Sequence, residues 1–167
     1  PLLRVGDAVL FESAVINEYL DETNPPPLHP ADPLRRARNR AWIEFASGLL
    51  GTQYGLLTAK TEAEFEQKRT EATQQLAQVE TQLGSGPYFN GPAFSLADAA
   101  FAPAFMRFAI LEQHRPLRLF AENSRVAAWS QALLARDSVQ KSVPADFTLL
   151  FTDYFKKKGD YVAQLLP

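Results

Sequence analysis

Leu2-Leu3-Arg4-Val5-Gly6-Asp7-Ala8-Val9-Leu10-Phe11-Glu12-Ser13-Ala14-Val15-Ile16 is the stretch that decides the fold. Residues 2–10 predict two short strands around Gly6-Asp7, a two-residue turn in which glycine supplies positive φ. From Ser13 to Asp21 the apolar pairs Val15/Ile16 and Tyr19/Leu20 fall four apart, predicting an amphipathic helix with Ser13 as its N-cap. Such a β-β-α unit is too small to fold alone. At its joint, Glu12-Ser13 sets a carboxylate, a hydroxyl and the free N–H groups of a helix start at one point. That arrangement suits a small molecule carrying both an ammonium and a carboxylate, such as the amino-acid end of a larger ligand. Taken as an isolated dipeptide, the pair is a helix cap beside a solvated acid; the flanking β-β-α unit turns the reading toward binding.

Outward from this unit runs Asn24-Pro25-Pro26-Pro27-Leu28-His29-Pro30-Ala31-Asp32-Pro33, whose prolines lack donors and hold their predecessors out of the α region. It reads as a stiff linker and a domain boundary, giving segments 1–22, 23–32 and 33–167. Everything after it reads as helical. Asp32 caps and Pro33 opens a helix with Trp42, Phe45, Leu49 and Leu56 on one face; Phe65, Ala72, Leu76, Val79 and Leu83 mark a second. Gly84-Ser85-Gly86-Pro87 ends the second helix and is an interhelical turn, since a phosphate loop would follow a strand. Ser95-Leu96-Ala97-Asp98 has the form of a capping box opening a helix so apolar, from Ala99 to Ile110, that it belongs in the middle of a bundle. Helices at about 123–136 and 137–143 and a final aromatic stretch through Phe147, Leu150, Phe151, Tyr154 and Phe155 complete the chain. Lys156-Lys157-Lys158 before Gly159 suits a helix C-terminus.

The 167 residues, 46% of them hydrophobic, suffice for one sizeable core without staples, and the cysteine count of 0 removes thiol nucleophiles and soft metal ligands. A formal charge of −2 and a pI near 5.7 argue against nucleic acid as a main partner. His29 and His114 have no metal-ligand spacing, so neither a metal site nor a Ser-His-Asp triad is expected. No apolar run approaches the roughly 18 residues of a membrane span, and a cytoplasmic location is expected. Arg35, Arg36, Arg38 and Arg40 crowd a helix start, as a solvated face or a subunit contact.

The β-β-α unit ending in Leu10-Phe11-Glu12-Ser13-Ala14-Val15-Ile16, the proline linker, the all-helical remainder and the Ser95-x-x-Asp98 box together resemble a cytosolic glutathione S-transferase over nearly the whole chain. The resemblance implies a mainly α fold: an all-helical C-terminal domain preceded by the last part of a thioredoxin-like, glutathione-binding domain. It places Pro1 at the cis-proline opening that domain's third strand, and implies that the first strand and helix lie upstream of Pro1 with the catalytic Ser, Tyr or Cys. By the same resemblance Glu12 and Ser13 hold the γ-glutamyl end of glutathione, with Pro1 beside it, and Ser95 with Asp98 form a structural capping box. Trp42, Tyr54, Phe105, Phe108, Phe151 and Tyr154 would line an apolar cleft beside the glutathione sulfur, although at least half of such a set at helical spacing is expected in the core. The implied activity is transfer of glutathione, as co-substrate, to a small apolar electrophile or exchange with a disulfide, by a homodimer needing no metal. The alternative is a non-catalytic member of the fold acting as a protein-interaction module, because fold alone does not decide function.

Overall fold

Gly6, at φ 58°, turns the chain between two antiparallel strands, β1 (Leu2–Val5) and β2 (Ala8–Phe11), paired in the register Leu2 to Phe11 and Val5 to Ala8. The computed structural model describes residues 1–166. Helix α1 follows directly as Ser13–Thr23 and buries Ile16. It runs two residues beyond the expected end. Thr23 Oγ1 and Asn24 Nδ2 donate back to the Tyr19 and Leu20 carbonyls at 2.7 and 2.9 Å, tying side chains at the helix end to its last turn. The expected cap is corrected as well: Glu12, not Ser13, occupies the N-cap, and Ser13 is the first helical residue.

The proline linker is anchored at both ends of its turn. The Asp21 carboxylate accepts the Leu28 and His29 N–H groups, and Glu18 of α1 accepts from Arg40 Nε at 2.7 Å, with a second contact from the same guanidinium. Helix α2 (Pro33–Leu57) starts as the sequence implies, with the Asp32 carboxylate accepting the Arg35 N–H at 2.8 Å and proline in the first turn. Helix α3 (Glu62–Gln82) is capped by Thr61, and its first turn carries Glu62 and Glu64, the sign that the helix dipole favours. After it, Gly86 lies so near Gly91 that an added Cβ would sit 2.7 Å from the Gly91 carbonyl carbon. The close packing is at Gly86; Gly84 has open space around it.

Helix α4 (Leu96–Glu112) is the centre of the bundle, packed along α2, which also packs along α3. Helix α5 (Arg125–Leu134) brings Trp129 against Phe101, Phe105 and Phe89, at ring separations of 5.1, 5.2 and 5.6 Å. Helix α6 spans only Asp137–Gln140, shorter than the expected 137–143; the Ser142 N–H and hydroxyl both donate to the Val139 carbonyl, at 3.1 and 2.6 Å, closing the chain in a tighter turn. Helix α7 (Phe147–Lys158) ends on Gly159 at φ 73°, with three lysines in its last turn, and a 3₁₀ turn (Tyr161–Gln164) closes the described chain.

The capping box forms in both directions, and the Ser95 hydroxyl also donates to Asp98 Oδ2 at 2.7 Å. Ser95→Ala is expected to lower stability by about 1 kcal/mol and to slow refolding, because α4 is buried on nearly every side. An unchanged urea midpoint would show that the box contributes nothing.

One cap was not legible locally. Glu80 of α3 reaches across to the start of α5 and accepts the Arg125 and Val126 N–H groups at 3.0 and 2.7 Å. Burial raises its carboxyl pKa, but the Val126 and Arg125 amides and the Arg125 guanidinium outweigh that, and the group sits below the ordinary carboxylate range. Since the folded value lies below the unfolded one, the contribution is complete above the unfolded pKa and is lost as pH falls through the folded pKa. Glu80→Gln should therefore lower the urea midpoint at pH 7, by about 1 kcal/mol in stability, and the gap from wild type should close toward pH 3. A pH-independent gap would assign the loss to packing.

Candidate functional site

Glu12 stands out in the backbone: it has φ 69° and ψ 118°, whereas glycines hold most other left-handed positions of the chain. A non-glycine residue in such a region costs about 1–3 kcal/mol, and such residues concentrate where a ligand needs the geometry. The strain is held by the Ile16 N–H, which donates to the Glu12 carbonyl at 2.9 Å, and by the β2 pairing just before it. The result projects Glu12 and Ser13 at the positive end of α1, both exposed. Among the described residues neither side chain makes a hydrogen bond or ion pair, and the first turn of α1 contains no acidic residue to answer its free N–H groups. Pro1 is exposed immediately ahead of β1.

The six aromatic candidates do not meet in one place. Tyr54 and Phe151 line a cavity of about 230 Å³ between α2, α4 and α7, together with Gln53, Leu57, Arg107, Phe147 and Phe155. Tyr154 is 55% exposed and lies edge-on to Phe155, with ring centroids 4.9 Å apart, beside that cavity and outside its lining. Phe105 and Phe108 face a larger cavity of about 510 Å³ closed by Leu119, Phe120, Arg118 and Glu122, which shares no lining residue with the first. Trp42 packs on Phe45 and Phe89 at 5.0 and 5.7 Å, at the opposite half of α2. A helical repeat places residues on a face but does not say which of two flanking cavities that face closes.

Arg107 is the residue that periodicity concealed. It is the one charged side chain in the run 99–110, and that interruption was the available signal. It is half-buried, and burial lowers its pKa from the ordinary guanidinium value. Across the cavity, Gln53 is fully buried; its Nε2 donates to the Ala104 carbonyl at 2.8 Å and its Oε1 has no partner. Outside the lining, Lys158 Nζ donates to the Tyr54 hydroxyl at 3.2 Å and lies 5.3 Å over its ring.

Ser95 and Asp98 are buried in the bundle. Among the described residues no three His, Asp or Glu side chains cluster as a metal site, and no helix is long and apolar enough to cross a membrane.

Comparison with known proteins bears on the same regions. Residues 62–132 match the family described as glutathione S-transferase, C-terminal domain. Glutathione S-transferase U25 of Arabidopsis thaliana is 30% identical over 161 residues, covering 95% of this chain and 73% of that protein. Rice GST1, solved in complex with glutathione, superposes with a TM-score of 0.76 at 26% identity, over 96% of this chain and 75% of that one. Glutathione transferase Omega 3C from Trametes versicolor superposes with a TM-score of 0.76 at 25% identity, over 95% of this chain and 70% of that one. On this coverage and identity, the chain belongs to the glutathione S-transferase family.

Proposed function

We propose that this chain binds glutathione through Glu12 and Ser13 and forms part of a transferase that joins the glutathione sulfur to a small, largely apolar electrophile. The observation that carries the reading is the strained, unengaged Glu12-Ser13 joint. The carboxylate is placed to pair with the γ-glutamyl ammonium, and the Ser13 hydroxyl and N–H with the neighbouring carboxylate at the helix's positive end. Pro1 stands beside these contacts. Residues 1–22 act as the last part of a thioredoxin-like domain, 23–32 as the linker and 33–167 as the helical domain; the exposed apolar face of Leu2, Val9 and Phe11 suits packing against further strands.

The acceptor cleft is the cavity of Tyr54 and Phe151, with Tyr154 at its edge. Phe105, Phe108 and Trp42 serve the core and the bundle's other faces. No residue among 1–167 is assigned to activating sulfur, which in this reading requires a donor that stabilises the thiolate and lowers its pKa. Helix α2 joins the two regions: Arg40 ties it to α1, and Gln53 is 13 residues on, about 20 Å of helix. Calorimetric titration of the full-length protein with glutathione tests the proposal. Saturable binding supports it, and no binding leaves a non-catalytic interaction module as the better reading.

The same reading makes the protein a cytoplasmic homodimer paired through α2 and its neighbour. Arg40 is engaged by Glu18, whereas Arg35, Arg36 and Arg38 have no ion pair among the described residues. In an isologous interface each would meet a surface of the second copy. A dimeric mass for the full-length protein in light scattering is expected; a monomeric mass across a wide concentration range contradicts the pairing.

A further inference from the structure

The Arg107 guanidinium offers five N–H donors and keeps its charge under all ordinary conditions. Among the described residues it has no hydrogen bond and no ion pair, and no carboxylate lines the cavity to which it belongs. Arginine stems often cover apolar surface while the head stays in water. Here the side chain is half-buried beside Leu57, Phe147, Phe151 and Phe155, where a charge without a partner is poorly solvated. The Lys158 ammonium, outside the lining, rests on Tyr54 of the same cavity and brings a second positive charge to that residue. The unpartnered Oε1 of Gln53 offers an acceptor in the same wall.

We propose that the acceptor substrates of this chain carry an anionic group, a carboxylate or its equivalent, that pairs with Arg107 while their apolar body lies against the phenylalanines of α7. The inference rests on the transferase reading above and names the substrate class of its acceptor cleft. In the reaction, the glutathione thiolate forms a carbon–sulfur bond and the leaving group departs with its bonding electrons. The thiol proton has already passed to solvent. Arg107 takes no part in bond exchange; it selects and orients the acceptor.

The test uses the full-length protein with two acceptors of one skeleton, 4-chloro-3-nitrobenzoate and neutral 4-chloro-3-nitrobenzamide. Comparing the kcat/KM ratio of the pair between wild type and variants cancels their different intrinsic reactivities. Arg107→Met, which retains an apolar stem, should lower the benzoate-to-benzamide ratio about 10- to 100-fold, and Arg107→Lys should lower it less. An unchanged ratio, or an equal loss with both acceptors, overturns the proposal. Equilibrium binding of unreactive 3-nitrobenzoate against 3-nitrobenzamide separates this failure from failure of the transferase reading. A benzoate preference in wild type that Arg107→Met abolishes, without turnover of either chloride, upholds the anion site and removes the transferase. Equal binding of both by wild type removes the anion site whether or not any variant folds.

Discussion

Asp98→Ala is expected to cost about 3–5 kcal/mol, a large fraction of the roughly 5–15 kcal/mol that holds a domain of this size together. The carboxylate is fully buried and joins three separate parts of the chain. Its Oδ1 accepts the Phe89 N–H at 2.8 Å and the Trp129 Nε1–H at 2.7 Å; its Oδ2 accepts the Ser95 N–H at 2.8 Å and the Ser95 hydroxyl at 2.7 Å. Removing it strands four donors where water does not reach. Asp98→Asn separates charge from volume. An amide nitrogen at the Oδ1 position faces two N–H donors; at the Oδ2 position it faces the Ser95 N–H, while the Ser95 hydroxyl can turn to accept from it. Even the better orientation leaves one donor clash, so the near-isosteric change should still cost about 1–3 kcal/mol. Urea unfolding followed by tryptophan fluorescence measures both. An Asn variant within 1 kcal/mol of wild type would mean that side-chain volume, not the network, secures α4.

The Ser95-x-x-Asp98 spacing disclosed half of this network. A capping box is local, so it can be read from four residues. The bonds to Phe89 and Trp129 join residues 9 and 31 positions away, and no local pattern announces them. The Glu80 cap on α5 was hidden for the same reason: its donors lie 45 and 46 residues along the chain. Elements bounded by proline, glycine or a cap, such as α2 at Asp32-Pro33 and α7 at Gly159, were legible because their ends are decided by a few neighbouring atoms. The N-cap of α1 was misplaced by one residue because Ser13 is a preferred capping type, while the observed cap needs Glu12 at positive φ, which no propensity favours. The cavity proposed as the acceptor cleft was half legible. Tyr54 and Phe151 share it, but the walls supplied by Gln53 and Arg107 depend on how α2, α4 and α7 come together.

Glu12→Gln and Ser13→Ala should each weaken glutathione binding by the full-length protein by about 1.5–3 kcal/mol, or less where water replaces the lost contact, while leaving the fold intact. Both side chains are exposed and make no hydrogen bond among the described residues, so neither substitution removes a structural contact. Gln keeps the size of Glu12 and lacks the charge that meets an ammonium. Ala at position 13 keeps the backbone N–H and lacks the hydroxyl. A loss confined to the hydroxyl contact therefore leaves the N–H groups of α1 still holding the ligand carboxylate. Glu12→Gly provides an internal control: it relieves the positive φ and removes the charge, so binding should fall as in Glu12→Gln while stability does not. Calorimetric titration with glutathione, paired with urea unfolding of each variant, reads affinity and stability separately. Equal affinity in wild type and both single variants would remove the γ-glutamyl assignment, and a parallel loss of stability would make the Glu12-Ser13 joint a structural cap.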